Sequence, residues 1–350
     1  MARRKHSAPR RGSLGVRPRK RASKFVPRVK TWPEVNFDEP RPLGFLGYKV
    51  GMTHIIMIDD RPGTPTYGKE IFVPVTVIET PPMLPVAARF YEATVGGLRT
   101  LTEVWTQPPE ELQIKRRIKS LKVSEENAEK ARKKLENNKD YIARVSLILA
   151  SQPRLTGGLS KKIPDIVEVK VGGGNIENQV RYALNILGKA LKISDVFREG
   201  QFIDVIGVTK GKGFQGVVKR FGVKELPKWN KQRKGSRRIG ARSPGIGAIS
   251  PVPQAGQMGM HRRTEYNKRI IAMRIVSDKT AEEAEKILRE FTPVSAFPHY
   301  GLLRTDYIVV RGSVQGTPKR PLVLRWPVRP PKWVPEQALK VIYVSLESKI

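Results

Sequence analysis

The chain has 350 residues, 39% of them hydrophobic, which suffices for a real core in about two domains or in one domain with large additions. Lysine and arginine number 66 against 32 acids, and a formal charge of +34 repels itself in isolation and calls for a polyanionic partner. The absence of cysteine excludes disulfides, thiolate metal sites and cysteine nucleophiles, and four scattered histidines (His6, His54, His261 and His299) leave little for a metal cluster.

In chain order, residues 1–42 open as a basic arm. Its first 30 residues hold 12 basic residues and no acid, with Pro9, Pro18 and Pro27 and no apolar run of the signal-peptide kind. Such a segment buries too little surface to offset its backbone entropy, so alone it is expected to be disordered. It reads as a solvated tail, as a transit peptide (which the prolines oppose), or as an arm that orders on a phosphate backbone. The last reading is preferred, through Arg3, Arg4, Lys5, Arg10, Arg11, Arg19, Lys20 and Arg21. Residues 43–58 and 71–78, rich in β-branched residues and bounded by Gly, Pro and Asp, predict strands. Residues 110–140 turn helical in composition, with Ser124 as N-cap. A strand is expected at 166–171, then a helix over 176–191 with Val180, Ala183, Leu184, Leu187 and Leu191 on one face. Strands at 201–209 and 269–276 flank a second basic window. Thr280 and Glu283 suggest a capping box opening a helix to 291, and short strands at 306–310, 322–324 and 341–344 end the chain. No run approaches about 18 apolar residues, so no membrane-spanning helix is expected.

Strands, a helical block and strands again predict a mainly β fold: a β-barrel from 43–86, 196–225 and 269–350, the last including a C-terminal extension, with an inserted α/β subdomain at 87–195. A long basic internal finger loop at 226–268 completes the expectation. Residues 207–274 carry 17 basic residues and two acids, Glu225 and Glu265. Within them, 226–264 run for 39 residues without a carboxylate, include ten Gly or Pro, and sustain no period of 2 or 3.6. A loop that long points to a finger whose fold is supplied by its partner. The expected phosphate contacts are Lys210, Lys212, Lys219 and Arg220 at its base and Lys231, Arg233, Lys234, Arg237, Arg238 and Arg242 along it. Gln257, His261, Arg262 and Arg263 follow on the return. Trp229 and Tyr266 bracket the finger and could stack on bases, though Tyr266 also suits core-edge packing.

Gly211, Gly213 and Gly216 satisfy G-x-G-x-x-G, but no acid stands near position 236 and no kinase His-Arg-Asp or Asp-Phe-Gly occurs. The glycines suit close approach of backbone N–H groups to phosphates instead. Gly172 to Gly174 read as a strand-to-helix turn or an anion seat. His261, beside Arg262 and Arg263, is better placed to stack or hydrogen-bond on RNA than to ligate a cation.

Phe197, Asp204, Gly207, Thr209, Gly211, Lys212, Gly213, Gly216 and Arg220 together resemble the signature of the large-subunit ribosomal protein three family. The resemblance continues in Gly47-Tyr-Lys-Val-Gly-Met-Thr53, Val73-Pro-Val-Thr-Val-Ile78, Ala255-Gly-Gln-Met-Gly259 and Val309-Val-Arg-Gly-Ser-Val314, and the arm and insertion are similar to the archaeal and eukaryotic branch. It implies a translation-factor-like barrel on the large rRNA near its 3′ end, a role early in assembly, and an arm and finger directed toward the peptidyl-transferase region. It also implies ribosomal proteins fourteen and twenty-four (eukaryotic type) as neighbours, a cytoplasmic ribosomal location, and no enzymatic activity, cofactor, metal, membrane or small-molecule substrate. Some relatives carry a tryptophan at the finger tip; Arg242-Ser-Pro-Gly-Ile-Gly-Ala-Ile249 has no aromatic, so a role resting on it does not transfer. The rival readings are a non-ribosomal architectural nucleic-acid-binding protein and an RNA-modifying enzyme. The first would more naturally show a groove-reading helix, the second a cofactor loop and a general base.

Overall fold

The computed structural model of the chain describes residues 12–13, 15–119, 124–225, 239 and 253–347. The chain divides into two compact units, a larger one of 24–207 with 263–350 and a smaller one of 1–23 with 208–262. In chain order the described strands are β1 (Arg41–Pro42), β2 (Gly44–Ile58), β3 (Glu70–Glu79), β4 (Leu84–Thr94), β5 (Gly97–Trp105), β6 (Ile142–Ala150) and β7 (Ile166–Gly172). They continue as β8 (Phe202–Val208), β9 (Gly211–Gln215), β10 (Gly256–Gly259), β11 (Arg262–Arg274), β12 (Tyr307–Arg311), β13 (Pro321–Arg325) and β14 (Val341–Val344). The α-helices are α1 (Glu125–Asn137), α2 (Ile176–Asn185), α3 (Val217–Phe221) and α4 (Ala281–Glu290). The protein is thus mainly β with several sheets.

The larger unit holds two sheets. One has the order β1-β7-β6-β4-β5, antiparallel throughout. The other has the order β13-β8-β11-β12-β3-β2-β14, and β13 also pairs with β2. Pairing therefore runs in a closed circuit through β2, β3, β12, β11, β8 and β13, which leaves none of the six with a free edge to template aggregation.

The fifteen-residue β2 explains how two sheets share one unit. Its residues 44–50 are all buried, whereas 53–58 alternate buried and half-buried in the pattern of a one-sided strand. Phe45, Leu46 and Tyr48 join a core with Phe90, Leu147 and Val169 of the five-stranded sheet; Val50, Ile55 and Met57 join a second core with Val75, Phe297 and Tyr307. Burying each such side chain contributes about 1.5–3 kcal/mol. At the changeover, a β-bulge follows Lys49 against β3, and a Cβ on Gly51 would lie 2.4 Å from the Phe297 ring. The Tyr48 hydroxyl bonds Ser151 and Asp165 at 2.8 and 3.0 Å, so the sheets are also tied by polar contacts inside the core.

Several expectations are refined. The region expected as an α/β insertion supplies β5, β6, β7 and most of β4 to a five-stranded sheet whose remaining strand, β1, comes from the arm, with α1 against β5 and α2 against β6. Ser124 caps α1 as expected, its Oγ accepting from Asn127 N at 3.3 Å. The helix expected over 176–191 stops at Asn185; Leu191 is buried beyond it because its backbone bridges Met83. Thr280 is the N-cap of α4, but its side chain makes no capping bond, so the expected capping box does not form. Residues 24–40 carry no regular structure, yet Val26, Val29 and Trp32 pack against the core, giving this part of the arm an apolar anchor. The expected irregular run of 226–264 ends in β10 and the start of β11; 226–238 and 240–252 lie outside the described residues.

Candidate nucleic-acid interface

The smaller unit carries 22 lysines and arginines against one acid, Glu225. Its described frame is small. β9 and β10 pair antiparallel, Gly256 opposite Gln215 and Gly259 opposite Gly211, and the one-turn α3 follows. The pairing needs glycine at 259: its φ is +73°, and a Cβ there would sit 2.0 Å from the Lys210 carbonyl oxygen.

Onto this frame the N-terminal segment is tied by three bonds. Arg19 Nη1 donates to the Arg220 carbonyl at 2.9 Å, Ala22 N to the Met260 carbonyl at 2.8 Å, and His261 Nδ1 lies 3.0 Å from the Lys20 carbonyl. Arg220 in turn donates to the carbonyls of Gln257 at 3.0 Å and Gln254 at 2.8 Å. Residues 19–22 are therefore held by protein, where the sequence reading expected phosphate alone to order them. The rest of the predicted set on the arm, Arg3, Arg4, Lys5, Arg10 and Arg11, lies outside the described residues.

At the centre of this arrangement three guanidiniums surround one ring. The Cζ atoms of Arg19, Arg220 and Arg17 lie 4.1, 5.2 and 5.3 Å from the centroid of Phe221. Each cation over a ring gains about 0.5–1 kcal/mol when exposed and about 2 when desolvated, which offsets part of the repulsion between like charges. The offset is incomplete. Nε and Nη2 of Arg17 are buried without an acceptor, and burial, with Arg17 alongside, pulls the Arg220 guanidinium below its usual range. A phosphate group placed beside the cluster supplies the missing negative charge.

The predicted residues fall into three groups. Lys20, Arg21, Lys210, Lys212 and Lys219 are exposed and available to a ligand, and Arg262 is exposed as well. Arg19, Arg220, Gln257 and His261 build the module itself: the Gln257 amide donates to Met258 and Gly259 carbonyls at 3.1 Å, and His261 is only 9% exposed with its N–H on Thr209 Oγ1. Trp229, Lys231, Arg233, Lys234, Arg237, Arg238 and Arg242 lie outside the described residues. Arg263 and Tyr266 belong to the larger unit. There Arg263 is half-buried with its carbonyl accepting from Gln315, and Tyr266 is half-exposed with the Arg325 guanidinium 5.9 Å from its ring.

Sequence reasoning missed Arg17, Phe221 and Phe214. Phe214 is 77% exposed on β9, a bare aromatic face among lysines that suits stacking on a base. The available signal was aromatic residues standing among the lysines and arginines of the basic run.

Two motif readings also resolve. A helix does follow Gly211, Gly213 and Gly216, but it spans only five residues, and the glycines lie on β9 and at the helix start. Gly173 and Gly174 form a turn: Gly174 N bonds the Phe37 carbonyl at 2.7 Å, and a Cβ on Gly173 would meet the Glu39 carbonyl at 2.5 Å. In the larger unit, a groove of about 1090 Å3 separates residues 24–32 from the β4–β7 sheet, with Lys24, Arg28, Lys30, Arg89, Arg117 and Arg144 among its walls. Among the described residues no three His, Asp or Glu gather as metal ligands, and no helix is long and apolar enough to cross a membrane.

Comparison with known proteins places this basic framework. A family model described as ribosomal protein L3 matches residues 1–349. The large ribosomal subunit protein uL3 of Aeropyrum pernix is 53% identical over 354 residues, covering 100% of this chain and 99% of the relative. Those of Sulfurisphaera tokodaii and Sulfolobus acidocaldarius are 52% and 50% identical, again over 100% of this chain and 99% of each relative. Matched along its whole length by a family of structural rather than catalytic proteins, the chain belongs to the ribosomal protein L3 family.

Proposed function

We propose that the chain is a structural constituent of the large ribosomal subunit in the cytoplasm, binding large-subunit rRNA near its 3′ end early in assembly. The observation that carries this reading is the Arg17, Arg19 and Arg220 cluster on Phe221, a protein-built arrangement with buried donors that lack an acceptor. Within the protein alone this positive charge is left largely uncompensated; a phosphodiester lying beside it compensates it. In this reading the closed circuit of six strands is the translation-factor-like β-barrel, interrupted by the insertion at 87–195. The arm of 1–42 and the finger of 226–268 run from it toward the peptidyl-transferase region, with ribosomal proteins fourteen and twenty-four-type as neighbours. The protein positions RNA and does no chemistry.

The exposed lysines of the module and the arginines farther along the finger then have different tasks. Lys210, Lys212 and Lys219 stand on or beside described elements, so their contacts are preorganised. Replacing all three by alanine weakens capture of large rRNA and reduces the slope of log affinity against log salt by roughly 2 to 3. Replacing Arg237, Arg238 and Arg242 leaves capture nearly intact and changes single-turnover peptide-bond formation in reconstituted subunits. Loss of incorporation in the second variant with normal incorporation of the first refutes this division.

A further inference from the structure

We propose that a pocket in the larger unit receives one unstacked nucleotide of an RNA strand, its base against Trp333 and Tyr266 and its phosphate on Arg311. The proposal rests on the rRNA-binding reading above and adds a site to it.

The pocket has a volume of about 390 Å3, within the roughly 300–1,000 Å3 of small-molecule sites. Buried Phe202 and Val334 line it, and Trp333 and Tyr266, 58% and 53% exposed, give it two open aromatic faces. Large aromatics that remain half-exposed at a concave site offer open surface, and any base can stack on it.

The charges around the pocket are paired, with one exception. Arg61 grips Asp59 through two bonds of 2.8 Å, Arg269 grips Asp60 through two bonds of 2.6 Å, and Lys268 lies 2.8 Å from Glu265. Arg311 has neither a hydrogen bond nor an ion pair from its guanidinium to any described residue. It is half-buried, and burial, then the neighbouring Arg61, holds it below the usual guanidinium range. An arriving anion is therefore attracted by a cation that forms no ion pair, with Asp59 and Asp60 acting on it only at longer range while they pair with Arg61 and Arg269.

The walls are also fixed in advance. Arg311 ends β12, opposite Val75 on β3, and the next residue donates from Gly312 N to the Pro74 carbonyl at 2.7 Å. Arg269 is additionally held by the carbonyls of Gly200 at 3.0 Å and Pro335 at 2.7 Å, which ties β11 to the segment carrying Trp333. A preorganised pocket binds without the entropy loss of ordering its own loops. Two aromatic faces beside a single free cation match the two halves of a nucleotide, a flat base and one phosphate. A carboxylate-bearing peptide would use the cation and leave the rings idle.

The test uses the full-length chain bound to large-subunit rRNA, probed with dimethyl sulfate and a 2′-hydroxyl acylating reagent. Trp333→Ala and Arg311→Gln are expected to expose the same one or few unpaired nucleotides. The protein concentration for their half-protection rises roughly 5- to 150-fold, the range for losing one stacked base, while the rest of the footprint is unchanged. Trp333→Phe, which keeps an aromatic face and preserves packing, retains the protection. Identical footprints for wild type, Trp333→Ala and Arg311→Gln overturn the proposal, as does protection that Trp333→Phe loses in full while melting like wild type. A photoreactive benzophenone side chain placed at position 333 crosslinks to RNA in assembled subunits; crosslinking to polypeptide instead overturns it. If wild-type protein leaves no footprint anywhere on the rRNA, the proposed function itself falls with it.

Discussion

Removal of the Asp204 carboxylate is the sharpest test of what holds the larger unit together. Asp204 on β8 stands directly across from Arg325 on β13, and their side chains are 0% and 5% exposed. Its Oδ2 accepts from Arg325 Nη2 at 2.5 Å and from Val328 N at 3.2 Å; its Oδ1 accepts from Asn267 N at 3.1 Å. Arg325 Nη1 donates to the Thr31 carbonyl at 2.6 Å, while its Nε has no acceptor. In Asp204→Ala the guanidinium stays buried with its charge uncompensated, which costs about 3–5 kcal/mol. Two backbone N–H groups also lose their acceptor, which pushes the figure to the upper end. With a urea m-value of about 3 kcal/mol/M, the unfolding midpoint falls by roughly 1 to 1.7 M. The assay is urea unfolding followed by circular dichroism and tryptophan fluorescence on the full chain. Asp204→Leu combined with Arg325→Leu removes both charges and recovers most of the loss, because the penalty lies in the orphaned cation rather than in a missing attraction. A loss below about 1 kcal/mol in Asp204→Ala, or a double variant as unstable as the two single ones summed, refutes this account.

Binding of the chain to large rRNA follows log salt with a slope steeper than about −5, for ~8 phosphate contacts at −0.7 to −0.9 each; a slope near −1 contradicts the polyanion reading. Phe221→Ala removes the ring beneath three guanidiniums, so trypsin cleaves the RNA-free protein faster after Arg19, Lys20 and Arg21; an unchanged rate shows that the backbone bonds alone hold the segment. Hydrogen bonding from Arg61 first of all holds the Asp59 carboxyl well below the usual carboxylate range. Its stability contribution is present above the unfolded value of about 3.9 and is lost as pH falls through the folded one, so Asp59→Asn flattens the decline of urea midpoints from pH 5 to 2. Burial pushes the Tyr182 phenol up to about 12, so its contribution is present below about pH 10 and disappears between there and pH 12. Tyr182→Phe lessens that alkaline loss, measured by the same midpoints.

Charge and local pattern sufficed for much of the protein. Two windows dense in lysine and arginine state the chemistry of the partner, since no fold changes the sign of 22 cations against one acid in the smaller unit. The β-branched runs marked β2, β3, β7 and β14 within a residue or so, because a strand that faces a core on one or both sides needs apolar residues at short period. Ser124 was legible as a cap because the capping bond spans three residues.

What depends on contacts distant in sequence was not legible. The helical pattern continues past Asn185, but Gly188 takes a φ of +78° and donates to the Pro85 carbonyl, and the chain beyond it pairs Leu191 with Met83, a partner more than a hundred residues away. β4, β5 and β6 escaped notice, although Ile142–Ala150 is an apolar run of strand length; the sheet they form with β7 and β1 joins residues far apart in sequence. His261 and Arg220 look like free ligands in the sequence; tertiary structure makes them braces, because the N-terminal segment and the glycine-bounded strands bring carbonyl groups to them. Arg311 shows the converse. Nothing in the sequence around it separates it from the chain's other arginines, and only the folded arrangement pairs Arg61, Arg269 and Lys268 with acids while leaving Arg311 without one. Composition determines that this protein seeks a polyanion, since charge is additive along a chain; which cations are spent on the protein and which face the ligand is set by packing, since a hydrogen bond requires two groups to meet in space.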